Sequence, residues 1–202
     1  MLTQNNASIF LADRRVGSPF VKVTDPEGFK VIDHFMSPGE SPLTLDMQSG
    51  PRIIYPFIGD LKIQSKDELV LQEDQLMVLP QGVEDFSVVN PYAGDAINFF
   101  EIFIPGNTPL TKPVIEDLTA YDHGLLSLPG NTFIGKFAGR QEVSLDIRLG
   151  EEKVFVYVIS GAFEAQYCLL ETRDALVLHD LDVLEIEALS NDAVLLVQKL
   201  MI

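Results

Sequence analysis

The three histidines are the first residues in which metal or proton-transfer chemistry would be sought. His34 falls in an alternating strand pattern, His123 in a linker-like segment and His179 in a turn, and their spacing matches no metal-binding motif. A transition-metal site needs several imidazole, thiolate or carboxylate ligands that converge. These histidines would form one only if the fold brought them together with carboxylates. His179-Asp180, at the end of a strand pattern, is typical of a solvated turn.

The other polar candidates are isolated as well. Glu84 and Asp85 are adjacent, so on a strand their carboxylates would point to opposite faces and form no catalytic pair. Asp85 with Arg52 or Tyr55 could make a polar patch, although an exposed acidic turn is the plainer interpretation. The single cysteine, Cys168, begins an apolar run without basic neighbours, which favours an unreactive core thiol. No Ser-His-Asp order, phosphate loop or zinc motif is present, so the catalytic residues are unknown.

The elements that would position these residues come as a duplication. Residues 53–61 and residues 155–163 each carry an apolar run that reaches a tyrosine and, four residues later, a glycine. The repeated residues are Tyr55 and Tyr157, and Gly59 and Gly161. Each copy continues into a leucine-rich run, an acidic turn and further apolar strands. A period of this length is too long for a solenoid and indicates two copies of one domain.

Short apolar segments separated by Gly, Pro and acidic turns predict an all-β protein. Many such segments at regular spacing are typical of sandwiches and barrels, and no long amphipathic helix is evident. We place the first barrel at residues 1–106, a linker at residues 107–124 and the second barrel at residues 125–202. Within the linker, residues 114–121 would allow one or two helical turns.

The charge balance limits the partners of the chain. Lys and Arg number 14 and Asp and Glu number 30, which gives a formal charge of −16 over 202 residues. That charge repels phosphate backbones and disfavours direct nucleic-acid binding. No apolar run approaches the roughly 20 residues of a membrane span, and the N-terminus lacks the basic flank and apolar core of a signal peptide. With only one cysteine, we expect a cytoplasmic protein without membrane contact.

With these features the chain resembles the pirin and quercetinase-like bicupins of the cupin superfamily. Residues 9–15 resemble the N-terminal segment of that family, in which an aliphatic strand runs into Ala-Asp and Arg. Residues 80–91 resemble the second cupin motif, which ends in Asn-Pro, and residues 158–161, 170–174 and 194–197 resemble the degenerate C-terminal cupin. The resemblance implies two tandem cupin barrels, each a jelly roll or double-stranded β-helix.

The same resemblance implies a metal site in the first barrel, which this sequence does not reproduce. In the family, a His-x-His pair, a glutamate and another histidine hold iron or a similar metal, and alternation along the strand turns both histidines into the barrel. Aligned on the repeated glycines, these positions are occupied by Leu45, Met47, Pro51 and Asp85 in the first unit, and by Ile147, Leu149 and Lys153 in the second for the first three positions. We therefore expect no metal site and no cofactor.

Two interpretations of the first barrel stay open. Leu45 and Met47 either fill the core of a small barrel or line an apolar ligand pocket. In the second case Arg52, Tyr55 and Asp85 would supply the polar groups of the pocket.

The functional expectation follows from the missing ligands. We expect a pirin-like, metal-free and non-enzymatic protein that binds a small molecule in its N-terminal barrel or contacts a protein partner, as a monomer or homodimer. The resemblance to pirin also suggests a transcriptional co-regulator that acts through protein contacts. The alternative is a quercetin dioxygenase-like, metal-dependent oxidoreductase that holds iron with atypical ligands such as His34, Asp46 and Asp85.

Overall fold

The strands occupy most of the chain that the structure describes. The computed structural model describes residues 6–14, 23–24, 30–46, 50–66, 68–83, 86–106, 109–121 and 124–201. In chain order the strands are β1 (Ala7–Phe10), β2 (Val23–Thr24), β3 (Lys30–Met36), β4 (Leu43–Thr44), β5 (Arg52–Ile58), β6 (Leu61–Gln64), β7 (Glu68–Leu71), β8 (Gln75–Leu79), β9 (Ser87–Val89), β10 (Ile97–Phe103), β11 (Val114–Asp117), β12 (Leu126–Leu128), β13 (Thr132–Phe137), β14 (Glu142–Asp146), β15 (Glu152–Ser160), β16 (Ala162–Ala165), β17 (Cys168–Glu171), β18 (Ala175–Leu178), β19 (Val183–Ala188) and β20 (Ala193–Met201).

Within the part of the chain that the structure describes, helical structure is limited to short 3₁₀ turns at Ala12–Arg14, Leu118–Ala120 and Pro129–Asn131. Within the described ranges, no helix reaches the length and hydropathy of a membrane-spanning segment. The all-β class predicted from the alternating patterns is therefore confirmed.

Two compact units divide the chain. The N-terminal unit lies within Gly17–Leu118, and the C-terminal unit combines Thr119–Ile202 with the segment Met1–Val16. In the N-terminal unit a six-stranded sheet has the order β11-β8-β5-β10-β3-β2 and a four-stranded sheet the order β4-β9-β6-β7. In the C-terminal unit the corresponding orders are β1-β18-β15-β20-β13-β12 and β14-β19-β16-β17. The orders correspond strand by strand, so the sequence repeat is a repeat of one antiparallel strand arrangement.

The edge strands correct the predicted domain boundaries. The prediction placed residues 1–106 in the first barrel, but Ala7–Phe10 pairs antiparallel with Ala175–Leu178 of the C-terminal unit. Just beyond this strand, the Ala12 amide donates a hydrogen bond of 2.7 Å to Asp174. The edge position equivalent to β1 in the N-terminal unit is taken by β11, which pairs with β8 and lies inside the predicted linker. An edge strand carries no local signal that tells which open sheet edge it will join.

Two local predictions also differ from the structure. Residues 114–121, where the sequence allows one or two helical turns, form the strand Val114–Asp117 and one 3₁₀ turn, Leu118–Ala120. Alternation over residues 43–47 also predicts a strand, but among its described residues the strand is limited to Leu43–Thr44.

Each unit has its own apolar core. In the N-terminal unit the buried cluster includes Met36, Leu45, Ile54, Leu61, Ile63, Leu71, Met77, Leu79, Phe86, Val88, Ile97 and Phe99. In the C-terminal unit it includes Phe137, Ile147, Val154, Val156, Val158, Phe163, Leu176, Leu184, Leu195 and Val197. Alternation along the strands directs every second side chain into these clusters.

The repeated glycines are required by geometry. Gly59 and Gly161 have φ of +76° and +84°. A Cβ on Gly59 would lie 2.8 Å from a methyl group of Ile97, and one on Gly161 would lie 2.5 Å from Ser190 Oγ and 2.7 Å from the Ala193 Cβ. Both glycines therefore combine a left-handed backbone with a close approach to the start of the last long strand of their unit.

We predict that Gly161→Ala destabilises the C-terminal unit more than Gly150→Ala does. Both positions have left-handed φ, but a Cβ at Gly150 would meet nothing within 4 Å. Backbone strain should cost about 1–2 kcal/mol at each position, and the clash at Gly161 should add about 1–3 kcal/mol. Urea unfolding of the two variants measures the difference, and equal losses would show that the close approach has no energetic weight.

Candidate functional site

An ionic network lies inside the N-terminal unit. The Glu101 carboxylate accepts a hydrogen bond from the Arg52 guanidinium and lies 3.0 Å from His34 Nε2. Arg52 is 1%, Glu101 4% and His34 8% exposed, so the charges are out of water. Arg52 also donates to the backbone carbonyls of Asp46 and Gly50. The guanidinium thereby links Asp46 and Gly50, which precede β5, to Glu101 in the six-stranded sheet.

Strand register places the three side chains on one face. Glu101 on β10 lies opposite Ile54 on β5, and Phe99 lies opposite His34 on β3. Ile54 and Phe99 belong to the buried apolar cluster, so Glu101, His34 and Arg52 face the same interior by alternation. The network occupies the end of β10 away from Ile97.

Aromatic rings flank the charged groups. The His34 ring stacks on Phe99 with centroids 4.5 Å apart. The Arg52 guanidinium carbon lies 4.6 Å and the Lys30 Nζ 4.4 Å from the centroid of the Phe103 ring. The backbone carbonyl of His34 accepts a 2.7 Å hydrogen bond from the side-chain amide of Asn98. These contacts hold the side chains of the network in one arrangement.

The network shifts the titration of Glu101. Burial alone would raise the pKa of this carboxyl, but the hydrogen bond with His34 and the charge of Arg52 outweigh burial and hold the pKa below its usual range. Glu101 is therefore a stable carboxylate at neutral pH and a weak proton acceptor there.

The structure separates the residues predicted to form a first-barrel site. Leu45 is 6% exposed and belongs to the core cluster, where its amide donates to the Phe86 carbonyl at 3.1 Å. Arg52 faces the same interior. Met47 and Asp85 lie outside the described residues. Of the five predicted residues, the described part of the chain thus brings Leu45 and Arg52 to one interior.

Tyr55 does not join them. It lies opposite Phe100, on the face of β5 that alternation turns away from Arg52. Its hydroxyl donates to Asp74 at 3.4 Å, and burial followed by the charge of Asp74 raises its pKa. The prediction of Tyr55 as a pocket residue is therefore corrected: the repeated tyrosine is a packing residue, like its fully buried counterpart Tyr157.

The residue types do not fit the metal implied by the resemblance. Leu45 and Pro51 supply no metal-ligating side chain at two of the four expected positions, and Met47 supplies only a thioether. Asp46, which was considered as an atypical ligand, has an exposed position in the described chain. Among the described residues, no group of three or more His, Cys, Asp or Glu is arranged to hold a metal ion.

The C-terminal unit offers an internal comparison. Three residues before the repeated tyrosines stand Arg52 in one unit and Val154 in the other. Glu101 pairs with Ile54, whereas its counterpart Val197 pairs with Val156. By the same ladders Gly135 takes the place of His34. The C-terminal unit therefore has apolar residues at the positions where the N-terminal unit has charged ones.

Glu101 was not identified from the sequence. A signal for it was present in the sequence. Glu101 is the one carboxylate in the largely apolar strand of residues 97–103, and it shares a strand face with apolar core residues. Its partner Arg52 stands directly before the apolar part of β5. A charge in such a register requires a buried partner, but periodicity does not name that partner.

The remaining candidates lie in the C-terminal unit. Cys168 begins β17 and is half-buried, and burial followed by the charge of Glu164 raises the pKa of its thiol. His179 Nδ1 lies 3.4 Å from Asp180, with side chains 40% and 58% exposed, as expected for a solvated turn. His123 lies outside the described residues.

We predict that Glu101→Gln lowers the free energy of unfolding by about 3–5 kcal/mol, because it leaves the buried Arg52 charge without its counter-ion. The control is Glu68→Gln, which removes an exposed pair with Lys62 at 3.0 Å and should cost less than about 1 kcal/mol. Denaturant unfolding at neutral pH measures both variants. Similar losses in the two variants would contradict a buried charge pair.

We also predict that the native protein and Glu101→Gln have the same free energy of unfolding in acid. The folded-state pKa of Glu101 is below its ordinary value of 4.5, so its contribution to stability is complete above that pH and is lost as the pH falls through the folded-state pKa. Unfolding free energies of both proteins, measured from neutral to acidic pH, should converge as the pH falls through the folded-state pKa of Glu101. A constant difference would be inconsistent with the network.

Comparisons with known proteins agree with this architecture. A family model described as the quercetinase C-terminal cupin domain matches residues 130–198. Bacterial pirin YhhW from Escherichia coli, in complex with nickel(II), is 17% identical, with a TM-score of 0.75 over 96% of this chain and 99% of that one. Quercetin 2,3-dioxygenase from Acinetobacter baumannii is 14% identical, with a TM-score of 0.55 over 94% and 78% of the two chains.

A third solved structure, YhaK from Escherichia coli, is 13% identical, with a TM-score of 0.66 over 95% of this chain and 92% of that one. No curated protein matches the chain by sequence. The solved structures establish the cupin fold of the chain, and the family model identifies its C-terminal unit. The chain therefore has the cupin fold, and its C-terminal unit matches the quercetinase C-terminal cupin domain.

Proposed function

We propose that this protein is a metal-independent, pirin-like cupin protein that works as a binding or interaction module. The observation that carries the proposal is the interior of the N-terminal unit. Leu45 packs in the core where the family resemblance expects a histidine ligand, and Arg52, Glu101 and His34 form a closed ionic network beside it. Its acid and base groups are engaged with one another.

The network of Arg52, Glu101 and His34 does not favour acid–base catalysis. A general acid or base works best with a pKa near the working pH. The pKa of Glu101 is lowered, away from neutrality, by its two partners. The carboxylate would have to leave Arg52 to accept a proton, which would strand a buried charge.

The network nevertheless has a role beyond packing. Buried ion pairs lose hydration, and apolar replacements of similar volume are often neutral or stabilising. The C-terminal unit closes the same fold with Val154 and Val197. Retention of charges in one unit supports a recognition role for the N-terminal barrel, where the occupant is a small molecule or a protein partner and the chain acts as a monomer or homodimer.

One observation favours an enzyme instead. His34 and Glu101 are metal-ligand types, lie 3.0 Å apart and face the interior of the barrel. If Arg52 moved away, they could contribute to an iron or nickel site completed by atypical ligands, as in a quercetin dioxygenase-like oxidoreductase. This alternative makes His34 indispensable for metal binding.

Metal content of the purified native protein tests the proposal. We expect no stoichiometric iron, nickel, copper or zinc by elemental analysis, and no change in thermal stability with chelator or with added nickel(II) or iron(II). A metal at one hundred times its dissociation constant would instead stabilise the fold by about 2.7 kcal/mol.

His34→Gln is the matched variant for this measurement, because glutamine keeps hydrogen-bonding capacity without an imidazole ligand. Stoichiometric metal in the native protein that disappears in His34→Gln would establish the enzyme alternative. Metal that is retained in both proteins would also refute the proposal and would point to other ligands.

A further inference from the structure

A cavity opens on the C-terminal unit, whereas the ionic network belongs to the N-terminal unit. The cavity lies between the edge strand β1, the end of β18 and the turn that joins β16 to β17. Its volume of about 530 Å³ falls within the range of small-molecule sites. Residues of both the N-terminal segment and the C-terminal repeat contribute to its lining.

The exposed surface of the cavity is mostly apolar. Ala7, Ile9, Leu178 and Leu181 line it together with the half-buried thiol of Cys168. Ile9 remains 47% exposed although it is a large aliphatic side chain. A flat apolar ligand would cover this surface and would gain the free energy of removing it from water.

The turn at the rim is built from unusual residues. Gln166 and Tyr167 have φ of 46° and 64°, so two successive non-glycine residues adopt the left-handed conformation. Asn-Gly is the common sequence for such a two-residue hairpin turn. Strained positions of this kind persist where their side chains are used. Here the turn places the Tyr167 ring, 67% exposed, at the mouth of the cavity.

One carboxylate lines the cavity, and two others lie outside its lining but act on residues that line it. Asp180 lines the cavity and is paired with His179 at 3.4 Å. The Tyr167 hydroxyl lies 3.5 Å from Glu185, and the charge of Glu164 acts on the Cys168 thiol. With a formal charge of −16 on the whole chain, this field attracts cations and repels anions.

We propose that the cavity binds a small organic cation with an aromatic body, of the arylalkylamine class. The ring packs between the aliphatic side chains and Tyr167, and the ammonium group faces the Asp180 carboxylate at the rim. The aromatic ring of Tyr167 adds a cation–π contact. This site lies in a different unit from the proposed N-terminal recognition site, and neither proposal depends on the other.

Three indoles with the same ring test this assignment. Tryptamine carries a positive, tryptophol a neutral and indole-3-acetate a negative side chain. The chain contains no tryptophan, so indole fluorescence reports the ligand alone. We expect tryptamine to bind with a dissociation constant of about 0.1 mM, tryptophol to bind more weakly and indole-3-acetate weakest of all.

Two isoleucines provide a matched pair of variants. Ile9 on β1 and Ile115 on β11 are 47% and 43% exposed, and both stand on edge strands of six-stranded sheets. Ile9→Ala should weaken tryptamine binding by about three- to tenfold, whereas Ile115→Ala should leave it unchanged. Because both side chains are partly exposed, both variants are expected to fold.

A turn variant separates function from stability. Gln166→Asn with Tyr167→Gly installs the favoured turn sequence, so the denaturation midpoint should rise. Tryptamine affinity should fall by about tenfold in the same variant, because the Tyr167 ring is lost. A purely structural turn would show the first change without the second.

Cys168 reports occupancy directly because it is the single cysteine of the chain. Saturating tryptamine should slow alkylation of its thiol by iodoacetamide. The proposal is overturned if alkylation is unchanged, if indole-3-acetate binds as tightly as tryptamine, if Ile9→Ala behaves like Ile115→Ala, or if no indole binds at millimolar concentration. None of these results bears on the metal content of the N-terminal unit.

Discussion

The ion pair between Arg52 and Glu101 constrains the whole N-terminal unit, because both charges face the interior of an otherwise apolar barrel. Neither charge is tolerable there without the other. Glu101 is held on the central strand β10, between strands that carry Arg52 and His34. Arg52 also satisfies the carbonyls of Asp46 and Gly50, so the connection into β5 depends on the same pair.

The internal duplication shows that the cupin fold does not require the ionic network. Both units have the same strand order. Each also has a tyrosine within a central strand and a glycine in the turn that follows that strand. Yet Val154 and Val197 fill the positions of Arg52 and Glu101 in the C-terminal unit. Function is carried by residues grafted onto a scaffold, and a duplicated scaffold lets the two grafts diverge. The cavity beside Tyr167 is the corresponding specialisation of the C-terminal unit.

The prediction from sequence was strongest where structure is local and periodic. The strands around Tyr55 and Tyr157, the acidic turns between them and the repeat itself followed from alternation and turn residues. The prediction was weaker at edges and at charged interior positions. Val114–Asp117 joins a sheet although its sequence also suits a helical turn. Glu101 looked like one charge in an apolar strand, and its partner is 49 residues away in sequence.

The sequence by itself determined the all-β class, the duplication and the absence of the expected ligand types at Leu45 and Pro51, because residue identity and alternation suffice for each. Only the tertiary structure decided that Ala7–Phe10 completes the C-terminal sheet, that Tyr55 faces away from Arg52 and that Arg52 meets Glu101. Pairing between distant strands selects among several compatible edges and registers. That choice depends on which arrangement buries the apolar faces and neutralises the charges together, and no local segment contains this information.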